Sequence, residues 1–363
     1  MSAVVAFVSL CVLLVAGKFL RVQIPLLQRL YLPSSVIGGV VGLLVFTFFG
    51  EYLPPEIKTS ASKCPGFLIN VIFATIFLGA AVPKFRQVLN FALPQLTLGQ
   101  ILAWGQYVVG LGLAGFVFTR LFGVPAAFGN LLEIGFEGGH GTVGGMAEAF
   151  TAYGWEDGIA LGYTVATIGM IIGIVFGMVM IQIAHKRGVV KEVKGFKDRK
   201  IFERRGIHLR TSRPSAGLQT VFSDSIDSLA WHIAVVGLSM LIGYGIHCCI
   251  PMKGFPLFPL CMIGGVILSV VTRLMRLDLL VDRVQMERIS GASLDFLVVS
   301  AVATIRLEVV AKNWQPLVIL IVAGAIWSVW CIFYIAPKIF RTAWFERAIA
   351  EFGQATGVTA TGL

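Results

Sequence analysis

The chain has 363 residues, 57% hydrophobic and only 13% charged. A soluble domain carries about 25% charged residues, so a water-soluble globule is excluded. The net charge of +10 is local: within 185–215 eleven Lys or Arg stand against Glu192, Asp198 and Glu203. Such an excess marks a cytoplasmic loop between membrane spans and excludes a nucleic-acid partner.

The apolar residues lie in blocks, with charge-free runs at 5–17, 66–82, 91–119, 158–184 and 233–252. About 20 such residues cross a hydrocarbon core. Spans are predicted near 3–20, 34–50, 66–83, 96–120, 158–184, 229–250, 256–275, 291–307 and 315–337. The N-terminus lacks a basic n-region, and Lys18 follows the first apolar run, so the first span is not read as a cleaved signal. If the loop at 185–225 is inside, five spans precede it and the N-terminus is outside. Lys18, Arg21, Lys84, Arg86, Arg273, Arg276 and Lys338 then fall inside, while Glu51 and Glu56 fall outside. None of the six cysteines forms a CxxC. Cys64 with Cys248 or Cys249 is the pairing open to a disulfide outside the membrane.

The two halves match in order. Residues 32–40 (LPSSVIGGV) resemble 258–266 (FPLCMIGGV), an offset of 226. Residues 66–70 match 291–295, Pro94 matches Pro316, and 137–142 falls opposite 354–359. An odd number of spans per half inverts the second copy, as in many secondary transporters. The plainer alternative is that Ile-Gly-Gly-Val is a generic small-residue packing surface.

The chemistry concentrates at 128–150, read as a hairpin that enters the membrane and turns back. Six of the eleven residues from Gly135 to Gly145 are Gly, and Gly costs about 1 kcal/mol in a helix interior relative to Ala. Glu133, Glu137, His140 and Glu148 lie in the same stretch. Ionisable groups at membrane depth mark pathways, and opened backbone survives there only against protein or a wet cavity. A Gly-rich extracellular loop is the bland alternative. The segment 352–362 is polar in the equivalent place. Asp295 and Asn70 occupy matching positions; Asp295 either holds Na⁺ or an ammonium group, or ends a helix near the cytoplasmic face. Arg306 and Glu308 read as an interfacial ion pair. Thr164 and Thr167 are expected to bond their own i−4 carbonyls. No triad, phosphate loop or zinc spacing occurs, so the chain does not read as an enzyme.

Gly138-Gly139-His140-Gly141-Thr142, the later Gly353-Gln354-Ala355-Thr356-Gly357 and the joining basic loop resemble the sodium/glutamate symporter family over essentially the whole chain. The resemblance implies an all-α polytopic membrane protein of two inverted-topology repeats. Each has about five transmembrane helices and a re-entrant hairpin. The first repeat covers 1–184, with its hairpin near 126–152, and 185–225 is the cytoplasmic loop. The second covers 226–363 and is incomplete at its C-terminus, where it ends in its hairpin. It further implies Na⁺-coupled symport of glutamate by alternating access, with no cofactor beyond the coupling ion, in a homodimer of the bacterial inner membrane. The substrate-binding residues carried over are Glu137, Gly138, Gly139, His140, Gly141, Thr142, Gln354, Thr356 and Gly357, with Arg306. Na⁺ is expected at Thr142, Thr167, Asp295 and Thr359. One departure is Glu137, a carboxylate where the pattern has Ser. The alternative is a Na⁺- or H⁺-coupled carrier of another organic anion or amino acid.

Overall fold

The computed structural model describes residues 2–80, 89, 92–190, 201–209, 211 and 213–357. Among them every regular element is helical. Helix α1 (Ser2–Gln23) leaves Val4, Val8, Val12, Val15 and Phe19 bare along one stripe. A continuous apolar face of that length suits lipid and not water. Helix α2 (Ser34–Phe48) follows. Helix α3 (Pro55–Thr75) starts on Pro54-Pro55, where a fixed φ and a missing N–H suit a first turn. Helix α4 (Leu93–Leu121) is long and apolar.

Three short helices come next: α5 (Leu131–Phe136), α6 (Gly139–Gly145) and α7 (Ala147–Ala152). Helix α8 (Asp157–Lys186) has 30 residues, about 45 Å at 1.5 Å per residue. The second half holds α9 (Ser228–Cys248), α10 (Phe258–Leu274), α11 (Arg283–Ala303), α12 (Trp314–Ile339) and α13 (Trp344–Thr356). Asp227 caps α9 at Leu229 N and Ala230 N, and Asp282 caps α11 at Gln285 N, satisfying donors that a helix start leaves open. Five helices are long and apolar enough to cross a membrane: Val4–Gln23, α4, α8, α9 and α12.

Two expected spans move. The one placed at 66–83 is a helix from Pro55 to Thr75, and the one at 291–307 runs from Arg283 to Ala303. Both expectations were anchored to charge-free stretches. In fact Glu56, Lys58, Lys63, Glu287 and Arg288 sit on exposed faces of the first turns, which costs the helix little. The cysteines are unpaired, Cys64, Cys248 and Cys249 included.

The helices sort into two bundles. One joins α1, α2 and α3 to α9, α10 and α11; the other joins α4, α5, α8, α12 and α13, with α6 between them. Lipid removes most hydrophobic drive between helices, so close approach depends on small residues. In the first bundle a Cβ on Gly38 would lie 2.3 Å from Leu13 O, and one on Gly264 would lie 2.2 Å from Ser239 O. A Cβ on Gly17 would meet Ser34 O at 2.2 Å, and one on Gly243 would meet the backbone of Leu260 and Cys261. In the second bundle α4 crosses α12 where Gly105 lies under the Trp327 ring, and Trp327 Nε1 donates to Leu102 O at 3.2 Å. Both helices carry a π-helical turn, Ala114–Phe118 in α4 and Cys331–Ile335 in α12. The largest apolar core seals the bundles together, bringing Val36, Ile69, Phe258 and Leu297 against Phe136, Val143 and Val165.

Candidate functional site at the helix breaks

The segment between α4 and α8 is a chain of short helices broken at Glu137-Gly138. Gly138 N–H reaches back to Glu133 O at 3.0 Å, and Gly139, the first residue of α6, takes φ +64. That left-handed conformation suits Gly and strains other residues. The remaining glycines do not open the backbone as their number suggests; α6 is helical across Gly141, Gly144 and Gly145. Gly141 faces Ile69, Gly144 faces Pro65 and the Tyr163 hydroxyl, and Gly145 faces Phe258. Close packing against α3 and α10 offsets the poor helix propensity of Gly. The irregular backbone is confined to the break.

His140 is wholly buried. Its Nε2 lies 2.9 Å from Thr167 Oγ1, whose single hydrogen goes to Tyr163 O at 2.7 Å. Thr167 therefore accepts, His140 donates through Nε2, and Nδ1 is left as a bare lone pair. The Tyr163 ring stacks beside the imidazole at 6.4 Å. Glu137 Oε2 and Gln106 Oε1 are likewise buried without a partner, as is His140 Nδ1.

The end of α13 arrives from the other direction. Gly99 on α4 touches Glu351, Gln106 Nε2 donates to Ala355 O at 2.7 Å, and Gly110 touches Gly129. Along α4, then, α13 occupies the first part and the entry to α5 the last. They converge on α8 at Gly169, where an added Cβ would be 2.4 Å from Thr356 O and 2.7 Å from Phe136. A cavity of about 920 Å³ opens between the bundles, reaching from Lys58, Ser62 and Lys63 on α3 past Glu156 and Arg306 to Tyr163.

The family model described as sodium/glutamate symporter matches residues 1–343. The chain belongs to the sodium/glutamate symporter family. No curated protein sequence matches it. Membership makes this chain a membrane transporter of a symporter family and not a member of an enzyme family.

In this symporter chain the described residues singled out from sequence fall in four places. Glu137 to Thr142 form the break and the first turn of α6, with Thr167 against His140. Gln354, Thr356 and Gly357 end α13, and Thr356 Oγ1 donates to Phe352 O at 2.7 Å. Asp295 lies in the other bundle, near Ser35. Thr359 lies outside the described residues. Arg306 sits on the cavity rim and pairs with Asp157 at 3.0 Å, not with the expected Glu308. Thr164 and Thr167 do bond their i−4 carbonyls. Among the described residues no three His, Cys, Asp or Glu side chains form a metal-ion cage. Gln106, Tyr107, Glu351 and Tyr163 escaped sequence reading. Gln106 sits in a run scanned for charge alone, and the other three acquire meaning only through partners distant in sequence.

Proposed function

We propose that this chain is a Na⁺-coupled glutamate symporter of the bacterial inner membrane that works by alternating access. The observation that carries the reading is the family match over residues 1–343. Two inverted repeats, 1–184 and 226–363, build it, joined inside the cell by 185–225, with the N-terminus outside. Several observations support the repeats. Gly17 and Gly243, and Gly38 and Gly264, are 226 residues apart and make like approaches to backbone. The π-helical turns start at Ala114 and Cys331, and α4 meets α12 at the equivalent Gly105 and Trp327. Lys18 Nζ donates to Gly206 O at 2.7 Å, which supports putting the end of α1 on the same side as the basic loop.

Each repeat contributes one re-entrant tip: the break at Glu137–Gly139 and the end of α13. Na⁺ is held by carbonyls and hydroxyls near the tips, with Thr142 and Thr167 as candidates and Asp295 and Thr359 as further ones. The substrate carboxylate docks on the opened backbone at Gly138–His140 and near Thr356. The second bundle then moves against α3, α10 and α11, across the smooth face of Gly141, Gly144 and Gly145. The working unit is a homodimer, which cross-linking in the membrane tests. A competition panel against labelled glutamate tests the substrate: inhibition by glutamate and close analogues alone is expected. Inhibition by unrelated anions would favour the second reading, a Na⁺- or H⁺-coupled carrier of another organic anion or amino acid. Glu137 is the observation in its favour.

A further inference from the structure

Three carboxylates line the interior of the second bundle, and none forms an ion pair with Lys or Arg among the described residues. Glu351 on α13 accepts from Gln95 Nε2 and packs on Gly99. Glu133 on α5 neighbours the Tyr107 hydroxyl. Glu137 follows Glu133 by one helical turn, and both Glu133 and Glu351 act on it with like charge. Gln95 and Tyr107 are twelve residues apart on α4, about 18 Å along its axis. Glu351 and Glu133 therefore sit at different levels along α4, one near each tip.

A second observation is independent of the acids. Gln106 is wholly buried and lies on α4 between the contacts to Glu351 and to Glu133. It turns Nε2 onto Ala355 O at the end of α13 and leaves Oε1 without a donor. Glu137 Oε2 also lacks a donor. Unsatisfied buried acceptors are uncommon in folded proteins and point to a missing donor or cation. Two neighbouring carboxyl groups and an unpaired oxygen make an ionised Glu137 costly at membrane depth. The described residues form no cage of three metal-ligating side chains, and a single proton requires none. The other titratable or charged groups around Glu137 supply no cation to pair with it. His140 on its own segment is committed to Thr167; Tyr107 and Tyr163 are neutral phenols; α8 is uncharged from 158 to 184. Arg347 on α13 is bonded to Gln95.

We propose that Glu137, flanked by Glu133 and Glu351, binds a proton that the carrier moves together with its anionic substrate. The proposal rests on the transporter reading above. A proton from water on the loading side joins a Glu137 carboxylate oxygen and leaves as H⁺ to water on the other side, with no redox change. Protonation also removes the like charge that an arriving carboxylate would meet at the break.

The test uses the full chain in proteoliposomes with a lumenal pH dye. With Na⁺ equal on both sides, glutamate added outside should acidify the lumen. An outside-acid difference of one pH unit should raise accumulation about tenfold for one proton per substrate. Glu137→Gln should lose the acidification, and Glu137→Asp should restore part of it. Na⁺-driven glutamate accumulation with no lumenal acidification and no response to pH would overturn the proposal and leave the symporter reading intact. If glutamate moves under neither gradient, that reading fails, and infrared spectroscopy still decides the site. A protonated-carboxyl band at neutral pH that disappears in Glu137→Gln is expected; its absence from the unmodified protein overturns the proposal.

Discussion

Gly139 and Thr167 hold the break in different ways, and substitution separates them. Gly139 holds a left-handed backbone, φ +64, which costs an L-residue about 1–2 kcal/mol. Gly139→Val should abolish transport while the protein still inserts and elutes as a single species; unchanged uptake would remove the break from the mechanism. Thr167 accepts from His140 inside a dry interior. Thr167→Val strands that donor, a cost of about 1–3 kcal/mol, and should lower thermal stability, while Thr167→Ser should not. That His140 and Thr167 are polar groups in apolar surroundings is legible in the sequence. Their pairing is not, since 27 residues and a change of helix separate them. Glu351 stays hidden for the same reason: its neighbours Gln95 and Gly99 lie some 250 residues away.

Glycine placement governs how the helices meet. An added Cβ at Gly38 or Gly264 would press into a backbone carbonyl at 2.3 or 2.2 Å. Gly38→Ala and Gly264→Ala should therefore destabilise alike, by roughly 1–3 kcal/mol each. Gly112→Ala, with nothing within 4 Å of its Cβ position, should be neutral. Melting of the purified variants checks this, and a large difference between Gly38→Ala and Gly264→Ala would argue against equivalent roles. The paired Ile-Gly-Gly-Val motifs reveal these positions from sequence, because a small-residue ridge survives as a short string. The helix limits at 55 and 283 do not show, because Pro caps and exposed charges on a first turn look like loop. The helical α6 is hidden too: propensity argues against it, and only its packing on Ile69, Pro65 and Phe258 makes it stable.

At the scale of the molecule, the cavity between the bundles sets which side reaches Tyr163. Ser62 lines it. In a background without the six cysteines, Ser62→Cys should react with an impermeant maleimide from outside the cell, with glutamate slowing the reaction. Arg204→Cys in the basic loop should react only from inside. Labelling of both from one face would contradict the proposed orientation. The helical, lipid-embedded character of the protein is plain from composition and the blocked apolar runs. The two-bundle arrangement is not, because it depends on which apolar faces meet, and lipid-facing and protein-facing residues are equally apolar. The most direct test of Na⁺-coupled glutamate symport is uptake of labelled glutamate into proteoliposomes with and without an inward Na⁺ gradient. Accumulation above the external concentration that collapses without the gradient is the predicted result. Equal uptake in both conditions by a well-inserted preparation would contradict it.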